Sequence, residues 1–170
     1  LAELHPIHPG VGFLLRRPSH FLALGLGSGL SRFAPGTFGT LAGWLLFYPL
    51  SLVLVSPWAW ATFLTLAFVI GVWACGAAGR DLGVADHGAI VFDEMVAIWC
   101  VLAMLPHDWR WQLGGVLVFR FFDILKPQPI RYFDRHIKGG FGVMWDDLFA
   151  AFYSLLLIAL AVRIVSHVRS

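Results

Sequence analysis

Asp93 and Glu94 sit side by side in Ile90-Val91-Phe92-Asp93-Glu94-Met95-Val96-Ala97-Ile98-Trp99, a run with no other charge. In hydrocarbon each ionised carboxylate costs about 3 kcal/mol or more, so something must compensate the two, and neither has a basic neighbour in sequence. Adjacent positions on a helix diverge by about 100°, so both can serve one site only from opposite edges of it or near a helix end. Further acids flank apolar runs. Asp86 and His87 lie just upstream in a Gly-flanked turn, Asp123 ends another run, and Asp146 and Asp147 precede the last one. Oxygen donors without a Cys or His cluster suit a hard cation, Mg²⁺ ahead of zinc, and such an ion commonly bridges carboxylates to phosphate. Plainer readings stand beside this one. Asp146 can be an N-cap and Asp147 a first-turn acid of the last helix. Asp123 can pair with Arg120 or Lys126, Asp134 with Arg131 or Arg135, and His87 can be a phosphate contact or an interfacial histidine.

Two other stretches suit a phosphate. Gly25-Leu26-Gly27-Ser28-Gly29-Leu30-Ser31 is followed by Pro35-Gly36-Thr37-Phe38-Gly39-Thr40. Glycine this dense allows φ > 0 and close backbone approach, whereas unpaired backbone is costly in lipid, so the stretch should be a broken or re-entrant segment lining a polar cavity or the interface. Its backbone N–H groups and the Ser28, Ser31 and Thr37 hydroxyls can meet an anion; close helix packing through small residues explains it equally well. Lys126-Pro127-Gln128-Pro129-Ile130-Arg131 is a proline-stiffened loop presenting cations to anionic headgroups.

The elements that position these residues belong to a membrane. With 170 residues, 59% hydrophobic, 13% charged and a mean hydropathy of +0.78, the chain has more apolar surface than a soluble core of this size can bury. The run Leu41 to Val55 extends a helix that can start near Thr37; Pro57 separates it from Trp58 to Ala78, and further runs cover Ala89 to Leu105, Trp111 to Leu125 and Leu148 to Val165. The third and fourth are near the short limit for crossing about 30 Å of hydrocarbon. The expectation is an all-α integral membrane protein: a compact bundle of about four to five membrane helices with a Gly-rich broken or re-entrant N-terminal segment, and one domain over residues 1–170. No cleavable signal is expected, because the run Phe21 to Leu30 lacks a small-residue cleavage site. Cys75 and Cys100 lie inside apolar runs and read as small hydrophobes. Nothing in the chain calls for a nucleic-acid partner.

Arg16, Arg17, Arg32, Arg80, Lys126, Arg131, Arg135 and Lys138 gather in the N-terminal segment and in the loops after the second and fourth runs, which should face the cytoplasm. Five crossings then put Arg163 and Arg169 on the far side, unless the fourth segment fails to cross and returns the tail. Intramembrane carboxylates also mark ion paths, so a cation or proton transporter is the alternative to a phosphate-handling enzyme; the chain's lack of inverted repeats counts against it.

Taken in order, Gly27-Ser28-Gly29-Leu30 with Pro35-Gly36-Thr37-Phe38-Gly39-Thr40, then Asp86-His87-Gly88-Ala89-Ile90-Val91-Phe92-Asp93-Glu94, Phe119-Arg120-Phe121-Phe122-Asp123-Ile124-Leu125-Lys126-Pro127-Gln128-Pro129-Ile130, and Asp134-Arg135 with Gly139-Gly140-Phe141-Gly142-Val143-Met144-Trp145-Asp146-Asp147 resemble the bacterial phosphatidylglycerophosphatase A family over nearly the whole chain. The resemblance implies a Mg²⁺-dependent phosphatase of the bacterial inner membrane, with its active site towards the cytoplasm, that converts phosphatidylglycerophosphate to phosphatidylglycerol and inorganic phosphate in phospholipid biosynthesis. Joined to the residue reading, it implies that Asp93, Glu94, Asp123, Asp146 and Asp147 hold the metal, with Asp86 as a further candidate. Lys126, Arg131, Arg135, Ser28, Thr37 and His87 then meet the phosphate. The reaction would run by water attack, with Asp93 or Asp86 as the rival nucleophile and Glu94 beside them.

Overall fold

The computed structural model describes residues 8–128, 131–132 and 136–169. Two short helices, α1 (Val11–Leu14) and α2 (Pro18–Ala23), lead into a 3₁₀ segment, Gly25–Leu30, and then five longer helices follow: α3 (Pro35–Val53), α4 (Pro57–Leu82), α5 (Phe92–Ala103), α6 (Trp109–Leu125) and α7 (Gly140–Arg169). No strand is present among the described residues.

Local chemistry sets the ends of these helices. Proline occupies the first turn of α3 and of α4, where its missing N–H costs nothing, and Ser56 Oγ accepts the Ala59 N–H at 3.1 Å to cap α4. The α4 helix stops at Gly83, whose φ of 73° leaves the helical region. Asp108 accepts the Arg110 N–H at 2.9 Å to open α6, and Lys126 closes it at a φ of 41°. The N-terminal run breaks where expected, since Leu26 and Gly27 take φ values of 59° and 105°, and only glycine does so without strain. At 6 residues, about 9 Å long, α2 cannot cross a bilayer.

Contacts between named residues give the helix directions. Gly36 abuts Glu94 and Gly43 abuts Ile98, so α3 and α5 run parallel; Gly71 meets both Phe92 and Met144, and Lys126 meets Asp146, so α4 and α6 run antiparallel to α5 and α7. Helices α3, α5 and α7 therefore leave the end that carries Asp93, and α4 and α6 return to it. The tail beyond Val162 lies at the opposite end of the bundle, beside Arg110 and Trp111.

Three helices, α3, α4 and α7 from Gly140 to His167, are long and apolar enough to cross a membrane. The other two explain the short runs. With 12 residues, α5 is about 18 Å long, and nine of them from Phe92 to Leu102 are buried between α3, α4, α6 and α7. It is the bundle's central post more than a lipid-facing span. Its contact with α3 is close: Trp99 Nε1 donates to Gly43 O at 2.8 Å, and a Cβ on Gly43 would stand 2.7 Å from Ile98 Cγ2 and 3.1 Å from Met95 Cα. Replacing Gly43 by Val should force α3 off α5 and cost about 1–3 kcal/mol, read as a lower thermal midpoint in detergent. A wild-type midpoint would show that the two helices are free to part.

Candidate active site

The first turn of α5 carries Asp93 and Glu94 into the middle of the bundle, where Val91 opens the helix without a side-chain cap. Glu94 points between α3 and α6. Arg120 Nη1 reaches its Oε1 at 3.2 Å, and Thr40 Oγ1, which donates to Gly36 O at 3.0 Å, lies 3.4 Å from its Oε2. Gly36 leaves room for this carboxylate, because a Cβ there would run into Oε1. The same Arg120 nitrogen binds Asp123 Oδ2 at 2.5 Å, so one guanidinium joins acids from two helices.

On the other flank α7 supplies Asp146 and Asp147, both buried. Lys126 Nζ contacts Asp146 Oδ2 at 2.5 Å. Asp93 feels the charges of Glu94, Asp146 and Asp86, while Asp147 feels those of Asp123, Asp93 and Asp146, so the carboxylates of three helices form one electrostatic cluster. Buried Asp93 Oδ1, Asp147 Oδ2 and Arg120 Nε have no hydrogen-bond partner. Unmatched acceptors are expensive in an apolar bundle, and their normal remedy is a bound cation, a proton or water.

Among the described residues, no three His, Cys, Asp or Glu side chains yet close around a common metal position. The donors nevertheless fit a hard cation in kind: they are carboxylate oxygens, and Asp93 and Asp147 each hold one buried oxygen unused. Arg120 and Lys126 neutralise part of the charge of the neighbouring acids, and a cation would meet the oxygens that they leave unused.

The structure draws together Asp93, Glu94, Asp123, Asp146, Asp147 and Lys126. It differs from the sequence reading at Asp146 and Asp147, which are neither N-cap nor first-turn residues: α7 begins at Gly140, and the pair points inward one to two turns along it. Asp86 is exposed in the loop before α5, close enough for its charge to act on Asp93. Beside it, His87 Nδ1 accepts the Ala89 N–H at 3.1 Å. Partial burial and the nearby His8 hold the His87 imidazole below its ordinary value against the pull of Asp86, which suits a neutral acceptor ring. Ser28 Oγ donates to Gly25 O at 2.8 Å, which closes the Gly-rich turn on itself, and Thr37 is half-buried in the first turn of α3. Arg131 is exposed, with Nη2 3.3 Å from Leu125 O; Asp134 and Arg135 lie outside the described residues.

Arg120 and Thr40 are site residues that sequence reading left out. Arg120 was visible as a partner of Asp123, but only the packing of α6 on α5 shows that it also binds Glu94. An arginine inside an apolar run is as costly as an acid, and that was the available signal.

A helical bundle with crossing helices and a buried carboxylate-and-cation cluster at one end is a membrane protein built to handle charge within its own core. The family model described as phosphatidylglycerophosphatase A matches residues 21–162, and the chain belongs to that family. A Haemophilus influenzae protein named phosphatidylglycerophosphatase A is 48% identical over 145 residues, covering 85% of this chain and 88% of its own. An Escherichia coli protein of the same name is 44% identical over 142 residues, covering 82% and 81%. No solved structure matches.

Removing the shared guanidinium tests the electrostatic account. Arg120→Gln should leave Glu94 and Asp123 buried without their counter-charge and cost about 3 kcal/mol, measured as a fall in the thermal midpoint. A midpoint equal to wild type would mean that the acids do not depend on Arg120.

Proposed function

We propose that the protein is a Mg²⁺-dependent phosphatase that hydrolyses phosphatidylglycerophosphate to phosphatidylglycerol and inorganic phosphate at the cytoplasmic face of a bacterial inner membrane. Family membership supports the reaction class. The observation that carries the metal reading is the set of buried carboxylates on α5, α6 and α7 with unused oxygens on Asp93 and Asp147, beside the cations Lys126 and Arg120.

Asp93, Glu94, Asp123, Asp146 and Asp147 would hold Mg²⁺, which when bound polarises the phosphate and lowers the pKa of an attacking water. Lys126 sits where α6 ends and can leave Asp146 for a phosphate oxygen, with Arg131 and Arg135, which follow it in sequence, adding charge. Arg120 keeps Glu94 and Asp123 in place, and the bundle excludes water behind them. Asp93, with an unpartnered buried oxygen, is the rival nucleophile for a phospho-enzyme route.

Charge and aromatic placement support the orientation. Arg16, Arg17, Arg32, Arg80, Lys126, Arg131 and Lys138 belong to the segments at the carboxylate end, against Arg110, Arg163 and Arg169 at the other, an excess that favours a cytoplasmic carboxylate end. The opposite end carries Tyr48, Trp58, Trp109 and Trp111, all exposed, as in the aromatic belt of a membrane interface.

Purified protein in detergent should release phosphate from phosphatidylglycerophosphate with Mg²⁺ and stop with EDTA. Asp93→Asn and Glu94→Gln should each lower turnover by roughly 100-fold or more while remaining folded, the scale of losing one contact to developing charge. Transfer from labelled water with inversion at phosphorus supports water attack, and a trapped phospho-aspartate supports the rival. A folded protein that releases no phosphate with any metal would remove the enzyme reading and leave the carboxylates as an ion path.

A further inference from the structure

His20 is completely buried although it lies in α2, outside the carboxylate cluster. Its Nδ1 stands 2.9 Å from Phe13 O and its Nε2 2.8 Å from Asp81 Oδ2, while the Phe13 ring stacks on it at 4.0 Å and 2°. Both polar partners are acceptors, a backbone carbonyl and a carboxylate. The ring satisfies both only when each nitrogen carries a proton, that is, as imidazolium. Arg17 Nη1 donates to the same Asp81 oxygen at 2.8 Å, and Arg16 adds positive charge nearby. His20 of α2 and Arg17 just before it thus converge on one carboxylate at the end of α4, and a buried charged ring is stable there because both its nitrogens are matched.

This cluster is joined to the carboxylate end by backbone. One turn after His20, Ala23 O accepts the Val91 N–H at 2.9 Å, and Val91 is the residue before α5 begins. Farther on, Gly29 lies so close to Ala89 O that a Cβ would collide with it. On the α4 side, the Val84 N–H binds Gly79 O at 3.1 Å, and a Cβ on Gly79 would lie 2.8 Å from Ala85 O. The loop that carries Asp86 and His87 into α5 is therefore held between the end of α4 and the N-terminal segment. Asp81 is where those two walls are fastened together.

We propose that His20, Arg17 and Asp81 form a positioning latch that holds the N-terminal segment against the start of α5, and so fixes where Asp93 and Glu94 stand. None of the three touches substrate. Their effect passes through Ala23 and Val91. The activity readout below rests on the phosphatase reading; the exchange and spectroscopic readouts do not.

The test compares wild type, Asp81→Asn, His20→Gln and the charge-keeping Asp81→Glu in detergent, by hydrogen exchange, ring ¹⁵N spectroscopy and kinetics. In Asp81→Asn, exchange in the peptide spanning Val91 should rise by at least about tenfold, while peptides from the middle of α3, α4 and α7 keep wild-type protection. Turnover should fall while the KM for the lipid stays within about twofold, because the binding groups remain and only their placement is lost. Asp81→Glu should recover much of both. In the wild type, the ring signal that vanishes in His20→Gln should show both nitrogens protonated. Unchanged exchange at Val91 in Asp81→Asn would overturn the latch, as would loss of protection spread evenly over the bundle or a His20 ring carrying a single proton. If the wild type releases no phosphate at all, the phosphatase reading fails, and exchange and ring spectra still decide the latch.

Discussion

Charge inside an apolar bundle has to be answered, and the architecture of this protein is arranged around that requirement. Asp93, Asp146 and Asp147 are buried, and Glu94 and Asp123 nearly so, in a molecule whose outer surfaces are hydrocarbon-like side chains. Left alone, such a group of acids would not fold together. Part of the answer is internal: Arg120 bridges α5 and α6, and Lys126 bridges the end of α6 to α7. The part left unanswered, the spare oxygens of Asp93 and Asp147, is what gives the cluster the capacity to bind something.

The shapes of the helices follow from the same constraint. A helix carrying two adjacent acids cannot face lipid with either of them, so α5 is short and enclosed by four others, with the acids in its first turn. That enclosure needs close approach on the α3 side, and Gly36, Gly39 and Gly43 supply it along one face: the first makes room for the Glu94 carboxylate, the last for Ile98 and Met95. The small residues read from sequence as either a phosphate cradle or a packing surface thus divide by position. Those in α3 make room for a carboxylate and for side chains, while those in the Gly25–Leu30 segment make a turn whose one hydroxyl is spent on its own backbone.

Much of this was legible before any coordinates. Membrane character, the broken N-terminal run, the approximate helices and the gathering of Asp93, Glu94, Asp123, Asp146 and Asp147 follow from hydropathy and from the expense of intramembrane acids. What stayed hidden depends on which helices touch. Asp146 and Asp147 look like the start of a helix because the last apolar run begins at Leu148, yet the helix starts at Gly140, whose first turns pack on Gly71 and Gly76 of α4. Arg120 looks like a local partner of Asp123, three residues on, because sequence spacing shows contacts within a helix and not those across to Glu94.

His20 marks the sharpest limit of sequence reading, and also shows what the core of such a protein demands. In Pro18-Ser19-His20 it carries no recognisable pattern, and its partners are a carbonyl seven residues back and a carboxylate sixty-one residues on. Only folding brings them together. Yet the physics is the same as at Glu94: burying a polar group in an apolar interior costs least when its hydrogen-bonding atoms are met, and the groups that meet it must then stay in place. At Glu94 the matching group is Arg120 on a neighbouring helix; at His20 it is Asp81, which ties down the segment packed on the start of α5. Matched charges deep in the bundle therefore do two jobs. They make burial tolerable, and because each match joins separate elements, they fix the positions from which the remaining, unmatched carboxylates act.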